Sequence, residues 1–351
     1  MPALRTRTRT PDTASEDGPD CRSSADSGRR TRPDGAMSER GPRVGNVASG
    51  PSPSPVSIAV QFVLAGVVWG SSFLFIAVAL TGMTPAQVAG GRLLFGALTL
   101  AAIIAIRRER LPRSRRIWGH LCVLAVTFCA VPFLLFAWAE QHVSSGLASI
   151  FNATTPIMTA IMAWAAFRVE SLKPGQLVGI AVGIAGVVVI IAPGAVTDVG
   201  NSTVAQLALL GATACYGFSL AYVRRFLNDT GLSGIALAFG YIGPAAALTV
   251  LLSPVILAEP MRLTPAVVAS IVTLGMLGTG LAYIWNQNVL RAWGPTRAST
   301  VTYITPVVGV ALGVLVLGER ISWNEPVGAA VVFVGILLVQ QRLRIPRRTL
   351  V

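Results

Sequence analysis

Arg92 is the residue whose type and setting most directly imply chemistry, because the run from Thr84 to Ile106 carries no other charge. A lone guanidinium in an apolar membrane segment costs at least about 2.5 kcal/mol, so it faces the protein interior and needs partners. Three are conceivable: the Glu140 carboxylate, backbone carbonyls, or the carboxylate of a bound substrate, which a planar guanidinium grips with two hydrogen bonds. Pro156 and Pro306 form a second pair with chemical consequences. Each lacks an N–H, so the carbonyl four residues earlier, on Asn152 and on Thr302, loses its helical donor. Thr155, Thr305, water or a polar substrate must replace it, and the two prolines are either a matched pair of hinges or tolerated kinks. Aromatic and polar side chains recur at depths suited to lining a substrate cavity: Trp69, Ser72, Trp138, Asn152, Tyr216, Tyr283, Trp285, Asn286 and Tyr303. Trp138 and Trp285 approach opposite mouths, as gates or as ordinary interfacial tryptophans. Glu140 and His142 are an adjacent titratable pair that either senses protons or is solvated loop.

The elements that position these residues are long apolar runs. Of 351 residues, 53% are hydrophobic and 12% charged, half the charge content of an ordinary soluble domain. From Val56 onward ten segments approach the roughly 20 residues that cross a hydrocarbon core, at 56–80, 85–106, 117–139, 147–167, 176–192, 204–223, 232–257, 265–290, 298–317 and 326–341. In lipid every backbone polar group must be satisfied within its own segment, so these runs are helices. They are too long and too evenly apolar for barrel strands. The expected fold is an all-α polytopic membrane protein.

The net charge of +13 suggests nucleic acid until the cations are located. They fall in short gaps between uncharged runs and do not form a basic face, so nucleic-acid binding is rejected. With the N-terminus inside, the expected cytoplasmic segments from residue 107 onward hold sixteen cations, and the opposite loops hold only Arg262 and Arg320. That asymmetry places both termini in the cytoplasm of a multi-pass inner (plasma) membrane protein. Residues 1–55, with nine Arg, seven acids and no apolar run, are expected to be a disordered cytoplasmic tail. Met37 could equally open the chain, which N-terminal sequencing would decide. Residues 342–351 form a second cytoplasmic tail.

The two halves repeat. Ala148-Ser149, Thr155-Pro156, Glu170, Val178-Gly179 and Gly186 recur as Ala298-Ser299, Thr305-Pro306, Glu319, Val327-Gly328 and Gly335, offset by 149 or 150 residues. Trp69-Gly70-Ser71-Ser72 is matched more weakly by Tyr216-Gly217-Phe218-Ser219. Five spans per copy is an odd number, so residues 56–192 and 204–341 form two inverted five-helix repeats, the arrangement that lets one site open to either face. Together with Arg92 and Gly318-Glu319-Arg320, these motifs resemble the EamA family of the drug/metabolite transporter superfamily. The first copy departs from that pattern at Phe167-Arg168-Val169-Glu170. The resemblance implies a ten-helix permease for small metabolites, often an exporter of amino acids or related compounds. Because Arg92 matches a recurrent position of that family, a structural bond is preferred there, with carboxylate recognition second.

No catalytic constellation is visible, and no cofactor or metal is expected. The four Cys lack metal-ligand spacing, and phosphate-cradling loops and zinc motifs are missing. A central acid is lacking too, which disfavours efflux of organic cations and slightly favours facilitated diffusion or exchange over proton antiport. Beside the small-molecule substrate, the expected partners are membrane lipids. Gly179 and Gly183 serve either internal helix packing or a homodimer contact. The competing readings are a drug or organic-cation carrier and a non-transporting scaffold or lipid-handling protein. The charge asymmetry makes a first prediction: alkaline phosphatase fused after Val351 stays inactive, and an active fusion would overturn the assigned orientation.

Overall fold

The computed structural model describes residues 55–169, 171–197, 201–293, 298 and 300–342. Both expected tails and Glu170 lie essentially outside them. Among the described residues there is no strand, and ten apolar helices follow in order: α1 Pro55–Leu80, α2 Pro85–Arg107, α3 Arg115–Ala139, α4 Ser145–Ala165, α5 Pro174–Ala192, α6 Ser202–Phe226, α7 Gly234–Leu251, α8 Pro265–Leu290, α9 Val301–Leu317 and α10 Asn324–Val339. The first eight are long enough to cross a membrane. The last two have 17 and 16 residues, about 24–26 Å at 1.5 Å per residue. The chain is a multi-pass membrane protein built of two inverted repeats, α1–α5 and α6–α10.

Polar caps set where several helices begin. Thr84 and Gln87 form a reciprocal capping box ahead of α2, with Pro85 in the first turn, where its missing N–H costs nothing. Ser144, Ser233 and Thr264 accept from the backbone N–H of the third residue of α4, α7 and α8. The expected seventh span, 232–257, is the one that ends early. α7 stops at Leu251 and Ser253–Ile256 forms a separate short helix, because Pro254 has no N–H to continue the ladder.

Three helices leave regular α geometry. α3 carries a π stretch at Ala125–Ala130, and α8 carries one at Leu274–Leu281. These are the matching third helices of the two repeats. α4 breaks at Ala153 and Thr154, just before Pro156, whereas α9 stays helical through Pro306. The two prolines are thus equivalent in sequence but not in local structure.

The repeats interleave. α1 packs most extensively on α9 and α8, and its counterpart α6 packs on α4 and α3. α2 lies on α8 as α7 lies on α3. The remaining major pairs, α2 with α7, α4 with α9 and α5 with α10, join equivalent helices. Glycines permit the closest crossings, again in symmetric sets. A Cβ on Gly70 would sit 2.8 Å from the Thr305 carbonyl of α9, and one on Gly217 would sit 2.7 Å from the Thr159 nitrogen of α4.

α5 and α10 meet backbone to backbone. A Cβ on Gly335 would lie 2.6 Å from the Gly183 nitrogen, and one on Gly186 would lie 2.6 Å from the Val332 nitrogen. Gly179 and Gly183 therefore serve contacts within the chain, against Gly335 and Ile157. Backbone cannot move aside as a side chain can, so Gly335→Val should lower the unfolding free energy by at least the roughly 1–3 kcal/mol of an overpacked core. Gly119, with nothing within 4 Å of its would-be Cβ, should instead tolerate Ala and gain about 0.5–1 kcal/mol. Thermal unfolding of the two variants in detergent checks both signs.

Candidate functional site

The π stretch of α8 is the foundation of the site. A π turn bonds each carbonyl five residues ahead, as Leu277 O does with the Ala282 N–H, and it rotates the following residues relative to a regular helix. Here it presents two acceptors to the first repeat. The Gly278 carbonyl accepts from the Trp69 indole N–H at 3.0 Å, and Thr279 Oγ1 accepts from Arg92 Nε at 2.9 Å. Thr279 is fully buried, so its hydroxyl is a fixed anchor. The Arg92 guanidinium carbon also lies 3.9 Å from the centre of the Phe133 ring, a cation–π contact with the ring face.

Among the described residues, Nε is the Arg92 nitrogen with a hydrogen-bond partner. The guanidinium is thus held at one edge and on one face, while its two Nη groups remain unbonded and the side chain keeps accessible surface. Within the protein the partner is neither the Glu140 carboxylate nor a backbone carbonyl. Glu140 acts on the charge only electrostatically.

Around Arg92 runs a circuit of rings. Trp69 meets Tyr283 edge-on at 5.8 Å, Tyr283 meets Tyr241 at 6.1 Å, and Tyr241 meets Phe128 at 5.4 Å. Phe128 meets Tyr216 at 5.5 Å, Tyr216 stacks on Phe136 at 5.9 Å, and Phe136 meets Phe73 at 5.7 Å. Phe73 is one turn from Trp69 on α1, which closes the circuit through α8, α7, α3 and α6. Arg92 is near enough to Tyr216, Tyr283 and Cys129 to act on each electrostatically. Trp69, Arg92, Tyr216 and Tyr283 each keep partly accessible surface.

Of the residues singled out from sequence, Trp69, Arg92, Tyr216 and Tyr283 thus come together. Ser72 lies beside them, its Oγ 3.2 Å from where a Gly278 Cβ would be, and donates to the Val68 carbonyl. Asn286 is one turn beyond Tyr283 on α8 and has no hydrogen-bond partner among the described residues. The Asn152 carbonyl, freed by Pro156, accepts from the Thr155 hydroxyl at 2.7 Å.

Others are placed elsewhere. Trp138 packs at 4.7 Å on His142, whose Nδ1 is 3.1 Å from the Trp138 carbonyl. Trp285 lines a separate cavity of about 340 Å³ near Arg107, with Gln61, Ile103 and Asn288. Tyr303 turns to α10, where its ring meets Phe333 at 4.9 Å and its hydroxyl bonds Gln340. The Glu140 carboxyl is not solvated, since both its oxygens are buried without a hydrogen-bond partner.

Sequence reasoning missed Thr279, Phe133, Phe128 and Tyr241. Phe128 and Phe133 are five residues apart, a spacing that falls on different faces of a regular helix, and the π stretch between them defeats that count. Tyr241 carried a usable signal: it stands seven residues after Gly234, as Arg92 stands seven after Pro85. One repeat thus offers a charge where the other offers a phenol.

Two interleaved inverted repeats of apolar helices around a polar, aromatic centre define the architecture used by many secondary transporters. The chain belongs to the EamA-like transporter family, which matches residues 56–192 and 203–340. It is 27% identical over 278 residues to the uncharacterized inner membrane transporter YedA of Escherichia coli K12, covering 78% of this chain and 87% of that one. It is 29% identical over 284 residues to a protein of Streptantibioticus cattleyicolor named a probable terminal-alkyne amino-acid exporter, covering 80% and 92% of the two chains. A solved crystal structure shares the fold with a TM-score of 0.58 at 16% identity, over 82% of this chain and 99% of that one.

The anchor of the site can be tested directly. Thr279→Val keeps the shape and removes the acceptor, so it should lower the unfolding free energy by about 1.5–3 kcal/mol, the worth of a hydrogen bond to a charged group. Thermal unfolding in detergent, compared with Thr127→Val on the matching π stretch, is the measurement.

Proposed function

We propose that this protein is a permease that moves small zwitterionic or anionic metabolites, amino acids or close relatives of them, by alternating access. The observation that carries this reading is the state of Arg92. Its Nε and one face are engaged, and among the described residues its two Nη groups have no hydrogen-bond partner, which leaves the donors that a carboxylate takes up through two parallel hydrogen bonds. The surrounding rings supply flat apolar walls, and the tyrosine hydroxyls supply partners for an amine or other polar end. The amino-acid exporter among the relatives supports the same cargo class. An organic cation suits this centre poorly, because the fixed charge in it is positive.

The fold offers a way to move. α1 with α8 and α9, and α6 with α3 and α4, are symmetric cross-repeat pairings around the aromatic circuit. Rocking one set against the other exposes the centre first to one face and then to the other. The break in α4 before Pro156 and the proline in α9 lie in these pairings and are proposed as the hinges. Export, and cytoplasmic placement of both termini, are part of the same proposal.

The test is uptake or exchange of labelled amino acids by the full chain in proteoliposomes. Arg92→Lys keeps the charge but removes the planar fork. It should cut transport of a zwitterionic substrate about tenfold or more, consistent with losing roughly 1.5–3 kcal/mol of charge-assisted bonding. Full transport by Arg92→Lys would overturn carboxylate recognition at this residue.

A further inference from the structure

Away from the aromatic circuit, where α3 ends and α4 begins, the Glu319 carboxylate lies against Ser145, and the buried Glu140 carboxyl is within its electrostatic reach. Glu319 follows α9. Gly318, at φ 67°, reverses the chain there, and the Glu319 N–H returns to the Gly313 carbonyl. The turn carries the Glu319 carboxylate onto the first turn of α4, where Oε1 accepts from the Ser145 N–H at 2.7 Å and Oε2 from the Gly146 N–H at 3.0 Å. The slot is shaped for this group. A Cβ on Gly313 would sit 2.2 Å from Glu319 Oε2 and 3.2 Å from Ser145 Oγ, and one on Gly146 would sit 3.3 Å from Oε2. Glu319 is thus satisfied as an anion at a helix N-terminus, where the backbone dipoles favour negative charge.

Its neighbours are not satisfied. Both Glu140 oxygens and Ser145 Oγ are buried without a hydrogen-bond partner, and Ser145 is 2% exposed. An ionised carboxylate cannot be kept in that condition, because burying an unpaired charge costs far more than protonating it. Burial first, and then the Glu319 charge, raise the Glu140 carboxyl well above the usual carboxylate range, with Arg92 acting the other way. Among the described residues the other charged or titratable groups nearby are Arg320, the chain neighbour of Glu319, Glu325, at the start of α10, which feels Glu319, and His142, whose Nδ1 lies against the Trp138 carbonyl. α1 has no charged residue, and α6 has none before Arg224.

We infer that Glu140, Ser145 and Glu319 form a proton-binding site that holds one proton on the Glu140 carboxyl while Glu319 stays ionised on α4. Loss of that proton to solvent leaves two carboxylates within electrostatic reach of each other, and their repulsion is relieved when Glu319 leaves the Ser145 and Gly146 N–H groups. Those groups belong to α4 and to the turn that ends α9, the helices of Pro156 and Pro306. Proton occupancy is thereby tied to the seating of one repeat on the other.

The experiment uses the purified full chain in detergent and pH as the only variable, so its failure leaves the transport reading untouched. Infrared difference spectra at neutral pH should show a protonated-carboxyl C=O band that is lost in Glu140→Gln. A group held protonated by the fold stabilises the protein at low pH, and that contribution fades as pH rises from the ordinary carboxylate range through the raised folded value. The melting temperature of the native protein should therefore fall over that window, and Glu140→Gln should flatten the fall. Glu319→Gln removes the like charge, so the band should titrate at lower pH. A band of equal intensity in Glu140→Gln, or the same melting profile in both proteins, would overturn the site. An unchanged band midpoint in Glu319→Gln would overturn the coupling, and if Glu140→Gln does not fold, the Glu319→Gln midpoint decides.

Discussion

A main-chain polar group without a partner costs several kcal/mol in hydrocarbon, and this constraint accounts for where the protein's polar side chains go. Regular helix satisfies it automatically. At several of the places where the helices depart from regularity or begin, a side chain intervenes, and in some of them it comes from the other repeat. Trp69 of the first repeat meets the Gly278 carbonyl in the π stretch of α8. Glu319 of the second meets the first amides of α4. Asn324 donates to the Ile190 carbonyl at the end of α5. The irregular places are therefore also the places where the halves are tied together.

That arrangement explains why the repeats interleave. Each helix finds its main partner across the symmetry relation, with glycine at the closest crossings. Lipid tails offer no hydrophobic drive for helix association, so close van der Waals approach must hold the bundle. The symmetry is then broken at the centre by a few side chains. Arg92 answers to Tyr241, and Trp69 to Tyr216. A symmetric frame can switch between two faces, while an asymmetric centre can hold a cargo with one charged end in one orientation.

The helices were legible in the sequence because a hydrocarbon core imposes length and apolarity on each of them. Their ends agreed to within a few residues, except at Pro254, where a missing N–H ended α7 early. The duplication was legible too, since Thr-Pro, Glu and Val-Gly recur at fixed offsets. The centre was legible in part: Trp69, Arg92, Tyr216 and Tyr283 stand out as polar or aromatic residues in apolar runs. Phe128 and Phe133 did not, because a count of 3.6 residues per turn fails across a π stretch.

Composition and spacing by themselves determined that this chain lives in a membrane, folds as helices, repeats itself and carries one deeply placed cation. Those follow from solvation, which acts on each residue through its own chemistry. Tertiary structure alone decided which neighbour each side chain meets. It set Arg92 on Thr279 and Phe133, turned Tyr303 toward α10, and buried the Glu140 carboxyl near Glu319. The reason is rotational: an apolar run fixes a helix's depth but not its rotation about its own axis, and that angle is set by packing against the other nine.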